Sequence, residues 1–537
     1  MNKKWFVALL CVALVLGLTT VGLAANKNPK GQITVGLLND IEHFNPILSE
    51  EMNATYVLNG VFSQLVRIDD AGNLVPDLAD VPTVQNGGIS KDGLVYTFKL
   101  NKKAKWHDGQ PVTSEDVKFT WELIMNPKIE VVSRDGFDKI TKIETPDPYT
   151  VKMYLKERVA DWLLNWAQTQ GSIVPKHILG KFKPEEITKG MDFARAPIGS
   201  GPFKFVEYKQ GSYVVLEANK DYFGKGPFVQ KVIYRLGFNS NTLLVALKTG
   251  EVDVAQVQPA QAEEAGKIAR LALRKDPAST YAHITPDMRK PIFQDKRVRQ
   301  ALNYAIPRQL IVDKILRGIG QPAAGSMAPV MWAYNKNVKP YPFDLNKAAK
   351  LLDEAGWKVG KDGIREKDGK PFHIEISTNA ENATRTQIEQ VLKEEWKKIG
   401  IDLEIKNYDG TTLFGDILEN IKFDLILFAW VTGASPDEWT MYHSSQIPSP
   451  TNQVGQNYSA YKNEEVDKLL AAGRATDDRK ERIKIYGRIQ EILSQDVPIF
   501  PIYYYVNVSL SPKNMVNFRP AAFTNGFTWN MNEWQLK

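Results

Sequence analysis

TRTQIEQVLKEEWKKIGIDLEIKNYDGTTLFGDILENIKFDLILFAW, residues 384–430, is the stretch that decides the fold class. Ile388, Leu392, Trp396 and Ile399 recur at helical spacing and line one face. Gly400 is a natural helix stop. Ile401, Leu403 and Ile405 then alternate with polar residues, the period of a strand. A short helix is expected over 413–418. Residues 423–430, FDLILFAW, are mostly apolar, as in a strand covered on both faces. Helix, strand, helix, strand at this spacing predicts an α/β fold with a covered sheet. Ligands of such sheets sit beyond the carboxyl ends of the strands. The segment FAWVTGASPDEW, residues 428–439, begins at such an end and is expected to face a cleft.

Outward from this unit, strands and helices stay mixed. Strands are expected at 32–38 and 94–100. Thr113 with Asp116 three residues on is a capping box, and Val117, Trp121 and Ile124 share the face of the helix it starts. Pro127 ends that helix. The chain has 537 residues, 43% apolar and 24% charged, so two or three domains are expected. Mean hydropathy is −0.31. No repeat of 20–50 residues and no flexible linker is visible.

The first residues read MNKKWFVALLCVALVLGLTTVGLAAN. Two lysines, an apolar stretch and the small residues Gly22 and Ala24 make residues 1–24 a cleaved secretory signal peptide, rather than a retained anchor. The single cysteine, Cys11, lies inside the apolar stretch, too early for a lipoprotein cleavage site. The mature chain then has neither disulfide nor thiol, and no lipid tether is expected. Without Lys3 and Lys4 it carries 66 basic and 62 acidic residues, a balance of +4 that argues against nucleic acid.

Enzyme signatures are missing. The histidines, His43, His107, His177, His283, His373 and His443, show no metal-ligand spacing. There is neither a GxSxG elbow nor a Walker glycine loop. Gly318, Gly320 and Ala323 fit a loose GxGxxA, but after a helix, with Pro322 where a phosphate-binding helix should begin. Asp437 and Glu438 lie between two tryptophans. Adjacent acids seldom span the roughly 5–9.5 Å a glycosidase needs. No enzyme activity, no cofactor and no metal are expected, with a secreted hydrolase as the remote alternative.

Several segments together resemble one family, the extracellular family 5 solute-binding proteins of peptide-type ABC importers. They are LVPDLA (74–79), DGLVYTFKLNKKAKWHDGQPVTSEDVKFTWELI (92–124), GSGPFKF (199–205), LKTGEVDV, DKRVRQALNYAI, YKNEEVDKLLAAGR and IYYYVNV (502–508). The resemblance implies a two-lobed periplasmic-binding-protein fold, α/β, with a hinge between the lobes. The first lobe would comprise 26–283 and 503–537, with an inserted subdomain at about 63–185. The second would comprise 284–502. It also implies a periplasmic or otherwise extracytoplasmic receptor, monomeric, that captures peptides in the cleft and delivers them to membrane permease subunits. The alternatives within the family are oligosaccharides, nickel complexes and opines.

In peptide-binding relatives an aspartate three residues after a strand-ending tryptophan pairs with the ligand ammonium. Trp430 matches that tryptophan, but Gly433 stands at the aspartate position. Asp437 is the candidate replacement. Trp430, Trp439, Trp332 and Tyr442 offer faces on which a sugar would stack, against the plainer reading of core or surface packing. Tyr503 and Tyr505 would share one face of a hinge strand. By resemblance the loop NDIEHFNPI (39–47) lines the site, with Glu42, His43 and Asn45 as candidates and Asn45-Pro46 as a turn.

Overall fold

The computed structural model describes residues 31–49, 51–449 and 455–537. The expected leader, with Cys11, lies outside the described residues. Strand β1 (Gln32–Gly36) buries Ile33 and Val35 completely, as its alternation requires. Next comes an antiparallel sheet of β2 (Val95–Lys99), β3 (Ile140–Asp147) and β4 (Thr150–Leu155), in the order β2-β4-β3. Helix α1 (Ser114–Met125) belongs to this region, and the predicted capping box is present. The Thr113 amide donates to Asp116 Oδ2 at 2.8 Å.

The chain then returns through β5 (Phe203–Lys209), β6 (Tyr213–Ala218) and β7 (Lys231–Arg235). These join β1 in the order β1-β7-β6-β5, with β1 and β7 parallel. The glycines of GSGP sit here for a steric reason. A Cβ on Gly199 would lie 1.9 Å from the Val61 carbonyl oxygen. Gly201 donates to that same carbonyl, and the His107 amide donates to the Gly199 carbonyl. Two of the signature segments are therefore holding the first lobe together. One continuous core joins Ile33 and Val35 to Phe98, Trp162, Tyr234 and Trp534.

The largest sheet has seven strands. β8 (Ala255–Val257), β9 (Leu271–Pro286), β10 (His373–Ser377), β11 (Asp402–Ile405), β12 (Leu425–Trp430) and β13 (Phe500–Pro512) lie in the order β8-β13-β9-β12-β10-β11, with Gln321–Pro322 beside β13. The expected unit at 384–430 is present: α2 (Ala383–Lys397), β11 and β12. Gly400 follows the helix at φ +79°, where a side chain would be strained. Ile388, Leu392 and Trp396 are fully buried with Ile374, Leu403 and Leu427 in a second core.

The long strands β9 and β13 supply Ala282, Ile284, Phe500 and Ile502 to the second core and Leu271, Val508 and Leu510 to a smaller cluster with Leu243 and Leu247. The first half of β9 pairs with β13 next to β8, and its second half pairs with β12. The β9–β13 register shifts between Pro277 and Tyr281 and again between Ala282 and His283. Such bulges bend and twist a sheet locally. The architecture is the two-lobed α/β fold of periplasmic binding proteins.

Candidate functional site

Strands β10 and β11 are parallel, and so are β10 and β12, so their carboxyl ends emerge on one side. β10 pairs with β12 only at Leu425 and Ile426. On the other edge β9 continues to Trp430, opposite Tyr281. The Leu427 carbonyl accepts from Thr378 Oγ1 at 2.7 Å. Among the described residues, no strand pairs with the edge towards β10 from Phe428 to Trp430. A half-paired strand of this kind is a template for an added one.

Strand alternation sends Tyr281, His283, Phe428 and Trp430 to one face. His283 packs against Tyr281 and Phe428 with tilted rings, centroids 4.9 and 4.4 Å away. With Tyr442 and Tyr458 they line a small cavity of about 20 Å³. Burial, with Arg385 nearby, lowers the His283 pKa to about 3, so the imidazole is neutral. Its Nδ1 is buried without a partner.

Behind the strand ends stands the start of α2. Arg385 Nη1 donates to Asn379 Oδ1 at 2.6 Å, and its Nε is buried without a partner. One turn later Glu389 is fully buried and accepts from Asn407 Nδ2 at 2.8 Å. Burial raises its pKa to about 7. Sequence reasoning missed these two residues, although a signal was present. They are charged residues four apart, among the apolar positions of the buried face of α2.

The predicted residues separate into three groups. Trp430 is half-buried, 5.9 Å from Phe428 and 6.4 Å from Tyr458, and borders the open edge. Tyr503 and Tyr505 do share a face, with rings 4.9 Å apart, Tyr503 buried and Tyr505 half-buried. Tyr504 points the other way, where its hydroxyl accepts from the amides of Ala324 and Gly325.

The second group is engaged by other protein groups. Asp437 Oδ2 accepts from Arg474 Nε at 2.6 Å, and its Oδ1 caps the Trp439 amide at 3.0 Å. Trp439 has His443 stacked at 3.6 Å and the Arg474 guanidinium 4.6 Å from its centroid. Trp332 lies beneath Arg479 and Arg482, and Tyr442 is buried. Of the four rings offered for sugar stacking, only Trp430 has neither a stacked partner nor a guanidinium on it and remains half-exposed.

The third group builds the 39–47 loop. His43 Nδ1 accepts from the Asn45 amide at 3.2 Å, and Asn45 Oδ1 accepts from the Ile47 amide at 3.3 Å. Both side chains are buried. Glu42 is exposed and 3.6 Å from Lys189.

Among the described residues no helix is long and apolar enough to cross a membrane, and no three His, Cys, Asp or Glu side chains gather as metal ligands.

Comparison with known proteins adds three findings. The family model for bacterial extracellular solute-binding proteins, family 5, matches residues 73–453. The oligopeptide-binding protein AppA of Bacillus subtilis is 32% identical over 96% of this chain and 93% of its own length. Its structure with a nonapeptide superposes with a TM-score of 0.82, covering 95% of this chain and 99% of that one. NikZ of Campylobacter jejuni, solved with Ni(L-His), is 30% identical, with a TM-score of 0.81 over 94% of this chain and 100% of that one.

Proposed function

The chain belongs to the bacterial extracellular solute-binding proteins of family 5, and on that premise we propose that it captures extended peptides between its lobes for an ABC importer. The observation that carries the reading is the unpaired edge of β12 from Phe428 to Trp430. A peptide main chain hydrogen-bonds to such an edge whatever its side chains are. The half-exposed ring of Trp430 borders this edge on the Tyr281 face, while Tyr505 lies with Tyr503 on the opposite face of the sheet. The covered faces of Trp439 and Trp332 weigh against oligosaccharides. The names of similar proteins, AppA and the di/tripeptide-binding protein 1 of Pseudomonas aeruginosa, weigh in the same direction.

The rest of the proposal follows from this role. The receptor acts outside the cytoplasm after loss of residues 1–24, as a monomer without turnover, and hands its ligand to permease subunits. Residues 26–283 with 503–537 form one lobe and 284–502 the other, and they hinge at the register shifts of β9 and β13. Closure is driven by the ligand's preference for the closed form.

A melting-temperature screen tests the ligand class. A peptide at 100 times its Kd should stabilise the closed protein by about 2.7 kcal/mol. Cello- and xylo-oligomers should leave the transition unmoved. The reverse pattern, with no peptide recovered by native mass spectrometry of the purified protein, would overturn the reading.

A further inference from the structure

Between the loop after Trp430 and the Asp135–Gln168 region lies a space of about 230 Å³. Charged groups border it on both sides, and several of their bonds cross the cleft. Asp161 accepts from Arg482 Nη1 and Nη2 at 2.9 and 2.5 Å, and from Ser435 Oγ at 2.6 Å. Arg158 Nε donates to Asp477 at 2.9 Å. The Ala160 amide donates to the Arg474 carbonyl. Arg474 Nη2 lies 3.8 Å from Asp135, while its Nε holds Asp437. Asp161 has φ +59°, a left-handed conformation uncommon outside glycine.

We propose that these acids and arginines latch the lobes shut, and that a bound peptide's amino terminus is consequently not selected by charge at this end. The inference rests on the peptide reading. Its first part follows from which bonds cross the cleft. Arg482 is 5% exposed and paired to Asp161 through two nitrogens, with its Nε unpartnered, so parting the pair would leave an uncompensated buried guanidinium. Opening the lobes parts that pair. The Arg158–Asp477 pair is nearly half exposed on both sides and adds little.

The second part follows from engagement. An ammonium leaving water needs a carboxylate that is not already neutralised. Both oxygens of Asp161 are taken, and so are both of Asp437. Glu438 has neither oxygen paired but is 3% exposed and closed off, and Asp135 lines the space more than half exposed, where a pairing with an ammonium adds little. A peptide with a blocked amino terminus therefore loses nothing here. The latch touches no ligand, so it scales every affinity by one factor.

Calorimetry with one peptide, free and N-acetylated, tests both parts. The parent should bind the two within threefold. Asp161→Asn should weaken both about tenfold, by the same factor, with faster release and a larger ligand-free radius of gyration in X-ray scattering. Ser435→Ala removes one bond of three and should move each quantity the same way by less, which covers a poorly folding Asp161 variant. Two results would overturn the proposal. One is an acetylated peptide binding 30-fold worse, with the difference lost in Asp437→Asn. The other is ligand-free dimensions unchanged in both latch variants. Absence of binding by any peptide would sink the proposed function, while the scattering result would still decide the latch.

Discussion

Trp430 and Trp439 lie nine residues apart and meet opposite surroundings. Around Trp430 the polar groups are under-partnered. Among the described residues the β12 edge has no pairing strand, and His283 Nδ1 and Arg385 Nε have no hydrogen-bond partner. Around Trp439 the ring carries His443 and Arg474, and the neighbouring Asp437 has a cation and an amide, but both oxygens of buried Glu438 are without a partner. Buried polar groups are normally satisfied by the protein itself. Where they are not, something else is expected to arrive. What separates the two ends is the strand edge open beside Trp430, so the Trp430 end is built to receive and the Trp439 end, with Asp437 tied to Arg474, is built to hold.

The largest effect that would sharpen this contrast concerns Glu438, on the holding side. Burial raises its pKa from 4.5 to about 7. Below pH 4.5 the carboxyl is neutral in both states and costs nothing. As pH rises further the unfolded chain ionises first, so stability falls until the folded group ionises near 7. Glu438→Gln should therefore gain about 3 kcal/mol at pH 8 and nothing near pH 4, read by denaturant unfolding at the two pH values. An equal gain at both would show that ionisation is not the cause.

Next in size is Trp430→Ala, which should weaken peptide binding by about 2 kcal/mol, roughly 30-fold, as a central aromatic contact does. Unfolding should change less than binding, because the ring is half-exposed. Titration calorimetry and denaturation of the same variant separate the two.

The smallest expected effect is that of Trp439→Phe on ligand affinity, under threefold, since the ring is covered by His443 and Arg474. A loss as large as that of Trp430→Ala would erase the distinction between the two ends.

Much of the fold was legible before the structure. Regular spacing placed α2 from Ile388, Leu392 and Trp396, and the all-apolar run placed β12. These signals are local, with a helical or strand period carried by neighbours in the chain. The site was less legible. His43 and Asn45 belong to a matching loop, yet they close a turn on each other. Arg385 and Glu389 were passed over because a charged residue on a helix reads as solvated until its burial is known. Asp437 was read as open to a ligand, since nothing in the segment at 428–439 announces Arg474.

By itself, then, the sequence determined the elements, the covered sheet and the family likeness, because hydrophobic period and turn chemistry act over a few residues. Only the tertiary structure decided which polar groups have partners. Asp161 meets Arg482 across 321 positions of chain, and β10 parts from β12 after Ile426. Hydrogen-bond satisfaction is a property of neighbours in space, and no local pattern encodes it.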